Sequence, residues 1–260
     1  MSKLDFFIVG TQKGCTTALW QYLRVQPRLQ LSQLKELHFF DDERLDWRRP
    51  SYERLHAPFN FTIANLGRGE ATPIYMYWPK SIERIYRYNP AAKIIATLRH
   101  PSFRAFSHWQ MEYDRGNECL PFPEAIGESG RQRVRNAPNG AHRIFSYVER
   151  GFYAGQIRRL KQLFPDDQLL FLTTDQIWAN PGASLATICR FLGVPNLQRH
   201  DNYQFSAADA RPHNALFERS RKLLDQIYRR DIINTQRTTG LDLSHWLSDA
   251  YAEVTPYRRP

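Results

Sequence analysis

The chain has 260 residues and carries 36 lysines and arginines against 26 aspartates and glutamates, a formal net charge of +10. A chain of this length buries about three quarters of its extended surface, and its 42% hydrophobic content excludes a disordered polyelectrolyte. The positive charge favours an anionic partner, such as nucleic acid, a membrane surface, a polyanionic glycan or a phosphorylated cofactor, without choosing among them.

Cysteine usage and the N-terminal segment indicate the compartment. The three cysteines are widely spaced and form no CxxC pair, which argues against a disulfide framework and a cysteine-ligated zinc site and fits a reducing environment. No apolar run approaches the roughly 20 residues of a membrane span. The first residues are too briefly apolar and too soon acidic for a signal peptide. We therefore expect a cytoplasmic protein without a membrane partner.

Short apolar runs alternate with segments of helical spacing along the chain. Strands are predicted at 6–9, 29–31, 93–98 and 168–172, and helices at 16–25, 78–88, 101–113, 152–164, 184–192, 215–229 and 243–251. This alternation predicts an α/β fold with a central parallel sheet flanked by helices. Since we find neither an internal repeat nor a long linker, we expect one domain over residues 1–260, with residues 200–260 as a helical C-terminal extension.

A loop with two glycines follows the first predicted strand. Residues 10–17 read GTQKGCTT, at the place where backbone N–H groups and a helix N-terminus bind anions. Lys13 would add a positive charge, and Thr16 and Thr17 would add hydroxyls. The lysine precedes the second glycine, so the order differs from a Walker A motif, and Arg99 stands where a kinase needs a magnesium-binding acid. A glycine turn with a surface lysine remains the alternative.

A second anion site is predicted after the strand at 93–98. Arg99 follows this strand directly, and Ser107 lies two helical turns further along. Arginine suits bidentate recognition of phosphate. Two anion sites at two strand ends of one parallel sheet predict a ligand with two separated anionic groups. Taken singly, Arg99 fits a carbonyl cap and Ser107 a helix-surface hydroxyl equally well.

Five stretches together resemble the sulfotransferases that use 3′-phosphoadenosine 5′-phosphosulfate (PAPS), in particular the branch with heparan sulfate sulfotransferases and their bacterial relatives. In family order they are FIVGTQKGCTT (7–17), KELHFFD (35–41), GEATP (69–73), KIIATLRHPSFRAFSH (93–108) and RGFYAGQI (150–157). Each is weak alone, but five in order are specific and cover most of residues 4–195. The resemblance implies a P-loop-like strand–loop–helix that binds the phosphosulfate.

The resemblance also implies roles for the matched positions. The residues expected to bind the 5′-phosphosulfate are Gln12, Lys13, Gly14, Cys15, Thr16 and Thr17. Arg99 and Ser107 are expected to bind the 3′-phosphate. Arg211 is the candidate for a late basic loop over the cofactor, although the chain lacks the glycine-containing form of that loop.

Four residues carry the expected chemistry: Lys13, Lys35, Glu36 and His38. The resemblance implies Glu36 as the catalytic base, Lys13 near the bridging oxygen and Lys35 at the transferring sulfuryl group. On a strand His38 would share a face with Glu36. It would then be a substrate ligand or an alternative base, or simply a histidine that is packed in the core or lies on the surface. Sulfuryl transfer is expected to proceed in line, as phosphoryl transfer does, and no metal is required.

The sequence says least about the acceptor, the substrate that would receive the sulfuryl group. The aromatic side chains expected to line its groove are Phe39, Tyr75, Trp109 and Tyr113, although aromatic residues at helical spacing are equally typical of a core. We expect sulfation of a hydroxyl, rather than an amine, on a small natural product or glycan, with 3′,5′-ADP released. The alternatives are an NTP-dependent P-loop kinase and a basic nucleic-acid-binding protein. Dispersed basic residues without a recognition motif argue against a nucleic-acid partner.

Overall fold

The computed structural model describes residues 3–196 and 215–253. These residues form two compact units that alternate along the sequence. The first unit contains residues 3–98 and 159–196, and the second contains residues 99–158 and 215–253.

The first unit is built on a parallel sheet of five strands in the order β2-β3-β1-β4-β5. The strands are β1 Phe6–Gly10, β2 Leu29–Leu31, β3 Gly67–Ala71, β4 Lys93–Leu98 and β5 Leu169–Thr173. In the centre β1 pairs with β3 on one side and with β4 on the other, and Ile8 lies opposite Ile95. The predicted α/β class with a central parallel sheet is confirmed. So is the P-loop-like order, since β1 leads through a loop into a helix.

The helices within the described residues are α1 Thr16–Arg24, α2 Glu53–His56, α3 Ser81–Tyr88, α4 Pro101–Asp114, α5 Phe122–Ile126, α6 Glu128–Arg135, α7 Tyr153–Leu163, α8 Thr174–Ala179, α9 Pro181–Leu192 and α10 Ala215–Thr239. Short 3₁₀ turns cover Pro138–Gly140, Glu149–Gly151, Asp166–Gln168 and Ser244–Leu247. The last of these replaces the longer closing helix predicted at 243–251. The C-terminal helix α10 is ten residues longer than predicted and ends at Thr239, and the next residue, Gly240, has a φ of 75° that suits glycine.

Both faces of β1 are buried, which explains its unbroken apolar sequence. Phe6 and Ile8 join a cluster with side chains of α1 and α9, including Leu23 and Ile188. Phe7 faces the other side, where its ring centroid lies 5.5 Å from that of Phe40. A strand covered on both faces loses the polar alternation of a surface strand and reads as a continuous hydrophobic run.

Strand β3 was not predicted, because its sequence GRGEA has little β-propensity. Tertiary contacts impose the strand. Gly69 lies beneath the ring of Phe6, and a Cβ atom there would come within 2.1 Å of it. Arg68 is buried, and its guanidinium donates to the carbonyls of Asn60 and Ile63 at 2.7 and 2.6 Å. The strand therefore depends on its neighbours rather than on its own side chains.

The second unit is helical and has an aromatic core. The ring of Phe217 in α10 lies 4.7 Å from Phe106 and 5.0 Å from Phe103, both in α4. Phe122 of α5 adds an edge contact with Phe106 at 5.0 Å. The helices α5 and α6 were not predicted, because proline, glycine and charged residues obscure their periodicity.

Candidate active site

The loop between β1 and α1 presents a helix N-terminus that carries no side-chain cap. Cys15 occupies the cap position with φ 66°, and its side chain makes no capping hydrogen bond. Lys13 is also left-handed, with φ 68°. Left-handed residues between right-handed ones turn successive N–H groups toward one point and create an anion-binding concavity. The first amides of a helix have no intrahelical acceptor, so this loop has the chemistry to hold an anion.

The two loop glycines are required by packing inside the protein. A Cβ atom on Gly14 would lie 2.6 Å from the carbonyl oxygen of Thr97 in β4 and 2.9 Å from that of Thr11. A Cβ atom on Gly10 would lie 2.9 Å from Cβ of Met76. Gly14 thus lies against the end of β4 and Gly10 against Met76, so packing within the protein is by itself enough to require glycine at both positions.

Side chains of the loop differ in their access to solvent. Gln12, Lys13 and Cys15 are partly exposed, Thr17 is exposed, and Thr16 is buried. A ligand at the helix N-terminus would therefore reach the side chain of Thr16 least readily, since it is the buried one of these five.

Glu36 and His38 lie in an irregular segment after β2, not on a strand as expected. Glu36 has φ 65° and His38 has φ 49°, both in the left-handed region. The two side chains nevertheless meet, with Nε2 of His38 3.4 Å from Oε2 of Glu36. Nζ of Lys35 contacts the other carboxylate oxygen, Oε1. The segment thus gathers the three predicted residues around one carboxylate.

The charges of this cluster shift the pKa values of its members. Burial alone would raise the pKa of Glu36, but the hydrogen bond with His38 and the Lys35 ammonium outweigh it and lower the pKa to about 2. Hydrogen bonds to Asp41 and Glu36 raise the pKa of His38 to about 9. Near neutral pH the isolated protein therefore holds an ionised Glu36 beside a protonated His38.

Asp41 joins this cluster, although the KELHFFD motif that contains it gave no reason to assign it a role. Its carboxylate is fully buried, and Oδ2 lies 2.9 Å from Nδ1 of His38. The signal available in the sequence was the spacing of three residues from His38 within KELHFFD. This contact fixes the orientation of the imidazole, as carboxylate partners of functional histidines commonly do.

In the second unit, Arg99 faces a carboxylate of the same chain. Nε and Nη2 of Arg99 donate to the two carboxylate oxygens of Glu253, each at 2.6 Å. The side chain of Arg99 is 13% exposed and that of Glu253 is 3% exposed. Ser107 is partly exposed on α4. The guanidinium fork expected to bind a phosphate is thus engaged by Glu253 in this structure.

The four residues expected to contact the acceptor occupy different environments. Phe39 and Tyr75 are fully buried, and Tyr75 accepts a hydrogen bond from the backbone N–H of Phe39 at 3.0 Å. Trp109 is buried and donates to the carbonyl of Leu120 at 2.9 Å. Tyr113, beside Trp109, is 48% exposed. Of the four, Tyr113 presents the most surface to a ligand. The remaining predicted residue, Arg211, lies outside the described residues.

Comparison with known proteins places this chain in a family. The family model described as "Sulfotransferase domain" matches residues 3–222. The chain therefore belongs to the sulfotransferase domain family, whose members transfer a sulfuryl group from PAPS.

Curated relatives include heparan sulfate enzymes. Heparan sulfate glucosamine 3-O-sulfotransferase 6 of Mus musculus is 27% identical over 208 residues, which cover 79% of this chain and 56% of the relative. The human bifunctional heparan sulfate N-deacetylase/N-sulfotransferase 3 is 28% identical over 202 residues, which cover 73% of this chain and 22% of that protein. The chain thus spans about half the length, or less, of these curated relatives.

Solved structures with the same fold include a sulfotransferase from Alicyclobacillus acidocaldarius. It is 25% identical, has a TM-score of 0.77, and the alignment covers 95% of this chain and 99% of that one. A sulfotransferase domain from the curacin biosynthetic pathway shares the fold at 16% identity and a TM-score of 0.52, with 76% of this chain and 77% of that one covered. Among residues 3–196 and 215–253, no helix combines the length and apolar character needed to cross a membrane.

Proposed function

We propose that this protein transfers the sulfuryl group of PAPS to a hydroxyl of a glycan or small natural product and releases 3′,5′-ADP. The observation that carries the proposal is the cluster of Lys35, Glu36, His38 and Asp41 in a chain of the sulfotransferase family. It supplies an ionised carboxylate to accept a proton and an ammonium to meet the negative charge of a sulfuryl group. The single-domain organisation over residues 1–260 and the cytoplasmic location stay predictions.

The loop at the start of α1 suits the phosphosulfate end of the donor. Its uncapped helix N-terminus and the left-handed Lys13 and Cys15 favour a compact anion. The donor supplies an activated sulfuryl group on a phosphate leaving group. Lys13 offsets the negative charge that grows on the departing phosphate, a preorganised electrostatic contribution of roughly 3–4 kcal/mol in comparable sites. Gln12 adds a partly exposed polar side chain, and Thr17 adds an exposed hydroxyl.

Glu36 acts as the general base. It is ionised at neutral pH, because its pKa lies near 2 when Lys35 and His38 both contact it. A carboxylate so strongly stabilised is a weak base. When Lys35 turns toward the transferring sulfuryl group, one of the contacts that hold the Glu36 pKa down is lost and the carboxylate becomes more basic. Glu36 then accepts the acceptor's proton as the new O–S bond forms, and His38 holds the carboxylate in place.

Arg99 and Ser107 bind the 3′-phosphate in this proposal. The support is the Arg99 fork, whose Nε and Nη2 already make a bidentate contact with a carboxylate, the geometry that also suits a phosphate. Arg211 keeps its proposed role over the cofactor. We propose O-sulfation because the relative at 27% identity is named a 3-O-sulfotransferase, and no metal is assigned to the reaction.

The base assignment is tested by Glu36→Gln. The variant should bind 3′,5′-ADP as the wild type does, because the phosphate-binding loop is a separate segment, and should lose turnover by roughly 10²–10⁴-fold. Transfer of radiolabelled sulfate from PAPS to heparan sulfate oligosaccharides and to a metabolite extract of the source organism measures turnover. Glu53→Gln, at an exposed glutamate of α2, is the matched control. Wild-type turnover in Glu36→Gln would contradict the role.

A further inference from the structure

We propose that Glu70 is a positioning residue that fixes the backbone of the loop carrying Glu36 and His38. The inference rests on the proposed function where it calls this loop catalytic, and otherwise on contacts within the first unit. Glu70 lies in β3 and does not contact Glu36 directly. It acts through two hydroxyl groups, those of Thr72 and Tyr75.

The loop needs to be held, because its two functional residues adopt an unfavourable backbone. Glu36 and His38 both have positive φ, at 65° and 49°. For residues other than glycine this conformation costs about 1–3 kcal/mol each, and it persists only where surrounding contacts fix it. Neither residue is the glycine that would relieve the strain.

Four backbone N–H groups tie the loop to the end of β3 and the residues after it. Glu36 donates to the carbonyl oxygen of Ala71 at 3.1 Å. His38 donates to Oγ1 of Thr72 at 3.4 Å. The next two N–H groups, of Phe39 and Phe40, both donate to the hydroxyl oxygen of Tyr75, at 3.0 and 3.4 Å. Three of these four bonds thus end on a side-chain hydroxyl rather than on a backbone carbonyl.

Glu70 orients the hydroxyl protons of Thr72 and Tyr75. Its Oε1 accepts the Thr72 hydroxyl at 2.5 Å and the Tyr75 hydroxyl at 3.0 Å. A hydroxyl has one proton and two acceptor positions. Because each proton is committed to Glu70, the oxygen lone pairs are left for the N–H groups of the loop. The carboxylate therefore sets the direction of the whole set of hydrogen bonds.

Packing alone does not explain an acid at this position. Glu70, Thr72 and Tyr75 are all fully buried. Burial raises the pKa of Glu70 to about 7, and Oε2 has no hydrogen-bond partner within the described part of the chain. A buried polar group of this kind is costly, and an apolar residue of similar size would fill the space. The carboxyl group accepts hydrogen bonds from the hydroxyls of Thr72 and Tyr75, which an apolar residue could not do.

The test compares Glu70→Leu with Glu70→Gln and follows the His38 imidazole by NMR titration. Glutamine retains an oxygen that accepts both hydroxyls, so His38 should titrate close to its wild-type midpoint near pH 9. Leucine removes the acceptor, so the loop should lose its geometry and the His38 midpoint should fall toward 6.5. His56, whose pKa is lowered by burial elsewhere in the first unit, is the internal control.

Tyr75→Phe keeps the proposal testable if Glu70→Leu does not fold. It removes one hydroxyl, leaves the N–H groups of Phe39 and Phe40 without their acceptor, and should also lower the His38 midpoint. A folded Glu70→Leu or Tyr75→Phe protein with an unchanged His38 midpoint would overturn the proposal, because Glu70 would then serve stability alone.

Turnover adds a second readout. Glu70→Leu should lower kcat by roughly 10–100-fold while the affinity for 3′,5′-ADP stays within twofold, as expected when a supporting partner of a functional group is lost. An equal loss of both would also overturn the proposal. The NMR result needs no acceptor. If the wild-type protein transfers no sulfate, the proposed function fails, and the titration still decides whether Glu70 positions the loop.

Discussion

His38 lies between two carboxylates, and this position couples its charge to the stability of the protein. Its pKa is raised from 6.5 to about 9 by hydrogen bonds to Asp41 and Glu36. A raised pKa stabilises the folded state fully below pH 6.5, and this stabilisation is lost as the pH rises through about 9. The imidazole is 45% exposed, so solvent screening weakens the effect.

Asp41→Asn tests this coupling at a single residue. Removing the buried charge should lower the His38 midpoint from about 9 toward 6.5, because the hydrogen bond to Asp41 is the largest cause of the shift. The decline of the unfolding free energy between pH 6.5 and 9 should flatten accordingly. NMR titration and urea unfolding at several pH values measure the two effects. A folded variant whose His38 still titrates near pH 9 would show that Asp41 does not set the charge of the imidazole.

Among the strands, those that are buried on both faces could be predicted from the sequence, because burial leaves an uninterrupted apolar run. β1 and β4 are buried on both faces and read as apolar runs, and β2 was found at its observed bounds. β3 was not predicted, because its sequence has no apolar run. Its Gly69 is required by the ring of Phe6, which lies directly above it in the folded protein.

The candidate site was predictable in its residues but not in its geometry. The motifs named Glu36 and His38, and the structure brings the two side chains together. Their positive φ values accompany backbone hydrogen bonds to Ala71 and Thr72, which lie more than thirty positions along the chain and which no local pattern encodes. Asp41, by contrast, lies only three residues from His38 in the same motif. The ion pair between Arg99 and Glu253 joins residues 154 positions apart, so it could not be predicted from a local sequence pattern either.

The segment after α10 is fixed in the second unit by contacts that bring Glu253 to Arg99. Nε2 of His100 lies 3.1 Å from the carbonyl oxygen of Trp246, and its ring stacks on Tyr251 at 4.6 Å. Arg221 donates to the carbonyl oxygen of Tyr251 at 2.7 Å. The carboxylate of Glu253 therefore competes for the guanidinium that the proposed function assigns to the 3′-phosphate.

Glu253→Gln tests this competition. A phosphate on Arg99 would no longer face a buried carboxylate, so the affinity for 3′,5′-ADP should rise by about tenfold, or ~1.4 kcal/mol. The affinity for 5′-AMP, which lacks the 3′-phosphate, should not change. Calorimetric titration measures both, and Asp249→Asn is the control at an exposed acid of the same segment. Weaker binding of 3′,5′-ADP in Glu253→Gln would mean that Glu253 orients Arg99 for the phosphate instead of competing with it.

For the whole molecule, the net charge of +10 is explained only in part by the site. The proposal uses Lys13, Lys35 and Arg99 directly. Other basic side chains have structural partners, such as Arg133 with Glu118 at 2.7 Å and Arg84 with Glu43 at 2.7 Å. The charge is compatible with an anionic donor and with an acidic acceptor, since a net positive charge attracts anions by long-range electrostatics, but it is not evidence for an acidic acceptor.

The proposed function requires that the protein bind a nucleotide with a 3′-phosphate. Thermal unfolding with 3′,5′-ADP, 5′-AMP or Mg-ATP tests it most directly. At a hundred times its Kd a ligand stabilises by about 2.7 kcal/mol, which raises the Tm of a protein of this size by on the order of 5–10 °C. We expect such a rise in Tm with 3′,5′-ADP and a much smaller one with 5′-AMP or Mg-ATP. Equal shifts with 3′,5′-ADP and 5′-AMP, or a larger shift with Mg-ATP, would contradict it.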